Sequence, residues 1–139
     1  MSSAREEVSS STVALTIPAR AEYLFFCRLA LVGLARAGRM DPETLSDLKL
    51  AVTEACSNAI RHAYAEPGGR VSVRFDLEED SLAVEVTDDG HGFQISPADF
   101  LEPREVGMGL AIIQALTDEL DISVGNGGQG TVVRFRKRF

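Results

Sequence analysis

No tryptophan, two cysteines, two histidines and five prolines among 139 residues leave this chain few ways to staple, ligate or kink itself. Cys27 and Cys56 lie in apolar helical patterns rather than in a CxxC pair, so neither a disulfide framework nor a zinc site is indicated, and both read as buried thiols. His62 and His91 lack metal-ligand spacing and read as helix-surface or loop residues. The purely apolar runs fall far short of the roughly 18 residues that span a bilayer, so no membrane segment is expected. Met1 to Ser11 has no apolar core of about 7 to 15 residues for export and reads as a disordered polar leader, which implies the cytoplasm. Positive charge is scarce as well. Against 21 acidic residues stand 14 basic ones, a formal charge of −7, which disfavours a surface that tracks nucleic-acid phosphates. At 45% hydrophobic and 25% charged, the 139 residues have the composition of a single folded domain, expected over residues 12–139.

Hydrophobic period divides that domain. Thr12 to Ala19 alternates Val13, Leu15 and Ile17 against small polar residues until Pro18 stops the ladder, a half-buried strand. From Arg20 to Arg36, Leu24, Cys27, Leu31, Leu34 and Ala35 recur at helical spacing, and Gly38 closes the segment as a cap. A second helix opens at Asp41 as N-cap, with Pro42 at the first helical position, and runs to about Tyr64 before a Pro67-Gly68-Gly69 turn. The period then falls to two. Val71, Val73, Phe75 and Leu77 share one face, Leu82, Val84 and Val86 another, and Glu78 to Asp80 joins them as a hairpin. Gly90 to Gly107 has weak periodicity and is a candidate lid ahead of a helix of about ten residues starting near Gly107 or Met108. ELDISVGN, a glycine-rich turn and TVVRFRKRF close the chain as a second hairpin. This order predicts an α+β two-layer sandwich, a mostly antiparallel sheet with helices on one face.

Four segments carry chemistry. On the second helix, whose inward stripe is Leu48, Val52, Ala55 and Ala59, Glu54 and Asn58 stand four residues apart and project about 40° apart around the axis. Asp47 and Arg61 share their stripe. A solvated polar face accounts for these residues, but Asn is a poor helix former. Pairing it with Glu leaves two oxygen ligands side by side with no basic partner at i+4, which suits Mg²⁺. Asp88 ends a strand ahead of Gly90 and Gly92. Those glycines let backbone approach a flat or phosphorylated ligand, and the carboxylate could accept from an adenine amino group; turn-forming residues alone also explain the segment. Gly107, Met108 and Gly109 open a helix whose unpaired N–H groups and dipole bind phosphate. Thr131 begins the last strand, its hydroxyl available to a ligand or to the sheet. The run Gly125 to Gly130 is no Walker A, because Thr131 stands where lysine is required and a strand follows; neither GxG pair continues to a dinucleotide fingerprint.

Together and in this order, ExxxN, DxGxG, GxG and GT resemble the GHKL or Bergerat-fold ATP-binding proteins, and in particular their small anti-sigma-factor serine kinases, over roughly Thr12 to Arg136. The resemblance implies Glu54 as general base, Asn58 as Mg²⁺ ligand and Asp88 as adenine reader, with Gly90 and Gly92 passing close to the nucleotide. It implies Gly107 and Gly109 as phosphate-side hinge residues and Thr131 as a contact near the base. Arg104 resembles a basic lid position that meets phosphates or a partner, and Arg28 a position that faces protein partners. Glu102 and Glu105 in the lid have no motif to align to. The activity implied is that of an anti-sigma factor that binds a sigma factor and phosphorylates an anti-anti-sigma protein of STAS type on serine with ATP and Mg²⁺, with a homodimer implied by the family alone. Two other functions fit the motifs. One is a nucleotide-binding regulatory module without phosphotransfer. The other is a detached histidine-kinase-type ATPase domain, against which 139 residues leave no room for a helix pair bearing a phosphoacceptor histidine.

Overall fold

The period-two segments pair into one antiparallel sheet in a computed structural model that describes residues 11–64, 68–88, 105–125 and 130–139. Gly90, Gly92, Arg104, His91, most of the candidate lid and all of the leader before Ser11 lie outside the described residues. The strands are β1 (Ser11–Pro18), β2 (Arg70–Leu77), β3 (Ser81–Asp88), β4 (Glu119–Val124) and β5 (Thr131–Arg138), in spatial order β1-β2-β3-β5-β4. Register explains why alternation sufficed to find them. Leu15, Val73, Val86, Val133 and Ile122 align in one row across all five strands, and Val13, Phe75, Val84, Phe135 and Leu120 in the next. A one-residue slip would turn each row to the opposite face.

Those rows meet three helices, all on the same face: α1 (Leu24–Ala37), α2 (Pro42–Tyr64) and α3 (Glu105–Leu116). Helix α2 lies against β2 and β3 and touches α1 and α3. Its stripe Leu48, Val52, Ala55 and Ala59 is buried as the spacing requires, beside Ala51, Cys56, Ile60 and Ala63. Each fully buried Leu, Val or Phe here contributes about 1.5–3 kcal/mol of transfer free energy. The expected α+β two-layer sandwich is therefore the fold. No helix among the described residues covers the other sheet face, which is polar and laced by exposed pairs such as Arg136 with Glu78 at 2.8 Å and Arg134 with Glu85 at 3.3 Å.

Element ends follow local chemistry, with three departures from the sequence reading. Asp41 caps α2 as expected: its Oδ1 accepts the Thr44 N–H at 2.8 Å and its Oδ2 the Thr44 hydroxyl at 3.0 Å. The residues before Leu24 are not α-helical but a single 3₁₀ turn, Ala21–Tyr23. Helix α3 begins at Glu105, two residues ahead of Gly107. At the end of α1 the left-handed residue is Arg39 (φ 57°), while Gly38 has φ −97° and donates its N–H to the Leu34 carbonyl at 2.9 Å. Gly38 is small for a different reason, since a Cβ there would lie 2.9 Å from Leu77 Cδ2.

Candidate functional site

Polar residues interrupt the apolar pattern at one end of the sheet. Where two rows run apolar through five strands, the third reads Ile17, Val71 and then Asp88, with Thr131 paired to Val124 on the far strands. Asp88 and Thr131 are nevertheless buried, 3% and 5% exposed, among hydrophobes facing the helices. Burying polar groups costs free energy unless they find partners, as Asp88 does, and two such residues in an otherwise apolar row make this corner a candidate site. Gly130 joins the two. It adopts φ +72°, and a Cβ on it would collide with the Asp88 carbonyl oxygen and come within 3.4 Å of Asp88 Oδ1, so only glycine lets the chain cross Asp88 on its way into β5. A cavity of about 260 Å³ lined by Thr16, Arg70, Ser72, Thr87 and Asp88 lies behind this corner, on the sheet face away from the helices, where Thr16, Ser72 and Thr87 align in one row.

The second half of the site forms where α2 meets α3. Asn58 is 3% exposed inside α2, and Glu54, one turn earlier on the same face, is half-buried. Gly109, in the second turn of α3, packs over both. A Cβ there would lie 2.9 Å from Glu54 Oε2, 3.2 Å from Asn58 Nδ2 and 3.5 Å from Asn58 Oδ1. The glycine thus lets the helices approach until backbone touches the carboxylate and the carboxamide. Gly107 falls in the first turn of the same helix, and Met108 is 64% exposed beside it.

The amide of Asn58 is not balanced. Arg61 Nη2 donates to Asn58 Oδ1 at 2.6 Å, while Nδ2 is buried without a hydrogen-bond partner among the described residues. Here the structure corrects the sequence reading. The absence of a base at i+4 left Glu54 and Asn58 looking unopposed, but Arg61 at i+3 reaches the same amide; the signal was present in the spacing, since i and i+3 are neighbours on a helix. Asp47, expected on that stripe, instead pairs with Lys137 of β5 at 3.6 Å.

Arg28 stands apart from both halves, exposed on the outer side of α1. Around it the sequence reading missed three hydrophobes, Phe25, Phe26 and Leu29, each about half exposed. Tyr23 stacks on Phe26 with ring centroids 5.9 Å apart, and Phe25 meets Phe26 edge-on at 5.8 Å. Cys27, in contrast, faces inward against Cys56, both fully buried. Cys56 donates to Cys27, and burial with that hydrogen bond holds the Cys56 thiol well above its ordinary range.

The family model for the histidine kinase-like ATPase domain matches residues 17–137. The serine-protein kinase RsbW of Bacillus licheniformis is 37% identical over 133 residues, covering 87% of this chain and 83% of that one. RsbW of Bacillus mycoides is 33% identical over 137 residues, covering 91% and 86%. Among solved structures, the RsbU and RsbW domains of a Mycobacterium tuberculosis protein superpose with TM-score 0.68 at 23% identity, over 92% of this chain and 32% of that one. The histidine kinase domain of a blue-light activated kinase from Erythrobacter litoralis gives 0.56 at 24%, over 88% and 61%. At such identities the two structural likenesses speak to fold.

Proposed function

The chain belongs to the histidine kinase-like ATPase family, and from that premise we propose that it is an anti-sigma factor with ATP-dependent serine-protein kinase activity. The observation that carries this reading is the meeting of Glu54 and Asn58 on the bare face of Gly109, a carboxylate and a carboxamide held together where two helices touch. Supporting it are the relatives named serine-protein kinase at 33–37% identity over most of the chain. The activity binds a sigma factor and transfers phosphate to the serine of an anti-anti-sigma partner of STAS type.

The donor set suits magnesium. The Asn58 carbonyl and the Glu54 carboxylate are hard oxygen donors, and the described residues contain no group of three His, Cys, Asp or Glu that would cage a cation. Magnesium prefers that arrangement, taking one or two protein oxygens and completing its shell with phosphate and water. Asn58 would hold it, and when bound it neutralises charge on the phosphate oxygens.

Phosphoryl transfer leaves a protein little covalent work, so positioning and proton management dominate. Glu54 takes the proton from the acceptor serine hydroxyl, help that is typically worth about 10² to 10⁴ in rate. Asp88 accepts from the adenine amino group, with Thr131 beside it and Gly90 and Gly92 letting backbone pass close to the nucleotide. Gly107 and Met108, in the first turn of α3, present that helix's positive end to phosphate, while Gly109 one turn in packs on Glu54 and Asn58, and Arg104 adds charge. Arg28, with Phe25, Phe26 and Leu29 around it, offers the protein-binding surface; exposed apolar clusters of this kind mark contact sites. A homodimer in the cytoplasm completes the reading.

The test uses γ-labelled ATP, the full chain and a serine-bearing STAS partner. Glu54→Ala is expected to keep ADP affinity within about twofold and to lose transfer by at least about 10². Wild-type protein that binds ATP and moves no label is a regulatory nucleotide-binding module, and label on histidine makes it a histidine-kinase-type domain. Either result overturns the proposal.

A further inference from the structure

The unbalanced amide of Asn58 has a chemical reading of its own. A guanidinium only donates, so the amide atom facing Arg61 must be the oxygen, and the 2.6 Å contact is a short charge-assisted hydrogen bond. That leaves Nδ2, a donor, as the amide atom nearer Gly109 and without a partner among the described residues. A cation ligand must be the oxygen. The side chain therefore has its one useful atom committed to an arginine and its other atom without a partner among the described residues, an arrangement that buried amides rarely keep.

We propose that Arg61 and the divalent cation compete for Asn58 Oδ1, so that Arg61 sets how strongly nucleotide binding depends on the metal. Magnesium coordinates oxygen at about 2.1 Å. An ion at that distance, with the guanidinium kept 2.6 Å from the same atom, would bring the two positive groups to about 4 Å of one another, well inside the range where their repulsion is unscreened. That repulsion, rather than a lack of lone pairs on the oxygen, sets the two in competition for it. Arg61 is the exposed partner and has solvent to move into, whereas Asn58 is fixed in the helix interior. Releasing Arg61 frees the amide to rotate, turning oxygen toward Glu54 and Gly109 and nitrogen toward the surface. The inference rests on the magnesium-nucleotide reading above and adds the residue that opposes it.

The experiment is calorimetric titration of ADP into the full chain, once in millimolar Mg²⁺ and once in EDTA, for wild type, Arg61→Met and Arg61→Lys. The quantity read is the dissociation constant in EDTA divided by that in Mg²⁺. Loss of one charge-assisted hydrogen bond from the competing state raises the ratio about tenfold or more in Arg61→Met, and Arg61→Lys, with a point charge in place of the planar fork, falls between. Mn²⁺ titration followed by electron paramagnetic resonance in the presence of ADP gives the same order of affinities without turnover. An unchanged or lower ratio in Arg61→Met, in protein whose melting matches wild type, overturns the competition and leaves the magnesium reading standing. A wild-type ratio of one overturns both.

Discussion

Replacing Gly109 by alanine separates folding from chemistry more cleanly than any other single change. Alanine is favoured over glycine inside a helix by about 0.8–1 kcal/mol. Against this, the new methyl would sit 2.9 Å from Glu54 Oε2 and 3.2 Å from Asn58 Nδ2. The first is the far end of a flexible side chain and swings aside at small cost; the second belongs to a buried amide that must give by a few tenths of an ångström. Overpacking a fixed core typically costs about 1–3 kcal/mol, and with only the amide resisting, the lower end applies. The two terms nearly cancel. For a chain of this length about 1 kcal/mol corresponds to roughly 4 °C, so melting should stay within about 4 °C of wild type. Function should not survive as well, because it is Glu54, the proposed base, that swings aside, and misplacing a reacting group by about 1 Å costs on the order of 10² in rate. Thermal unfolding and γ-phosphate transfer to a serine-bearing partner measure the two quantities on one preparation. Gly33→Ala is the matched control, since nothing lies within 4 Å of a Cβ there and it is an exposed position in α1; it should gain a little stability and lose no activity. An active Gly109→Ala protein, or one too unstable to purify, would refute the assignment of this glycine to the site.

Three further outcomes follow from the same geometry. Gly130→Ala forces a left-handed backbone and a methyl against the Asp88 carbonyl, costing about 1–2 kcal/mol from the backbone alone and more from the clash, with a parallel loss of ADP affinity; urea unfolding and calorimetry report both. Cys27 and Cys56 should resist iodoacetamide in the native protein and react fully in denaturant, because both are buried and the Cys56 thiol is held protonated by burial and its bond to Cys27; rapid native alkylation counted by mass spectrometry would contradict that packing. The Thr44 N–H and hydroxyl lower the pKa of Asp41, so its contribution is fully present above the ordinary aspartate range and is lost as pH falls through the lowered native value. Asp41→Asn should therefore flatten the acid side of the stability curve below about pH 4, read by urea midpoints across that range.

Alternation and helical spacing were legible because each element's burial repeats its own period. The rows through Val73 and Phe75 and the stripe through Leu48 and Val52 needed no long-range information. Motif spacing likewise singled out Glu54, Asn58, Asp88 and Thr131. What spacing did not reveal was closeness across elements: that Gly109 rests on Glu54 and Asn58, that Gly130 crosses Asp88, and that Gly38 yields to Leu77. Arg61 stands on the stripe where its spacing put it, and its bond to Asn58 is made at i+3 rather than at i+4.

The sequence by itself determined which residues face inward and which polar residues break that pattern, because side-chain direction along a strand or helix depends only on local geometry. Tertiary structure alone decided which of those exceptions meet. Contacts between α2 and α3, or between β3 and the entry to β5, depend on how far apart backbones stand, and in this protein glycines without side chains at positions 109 and 130 set those separations.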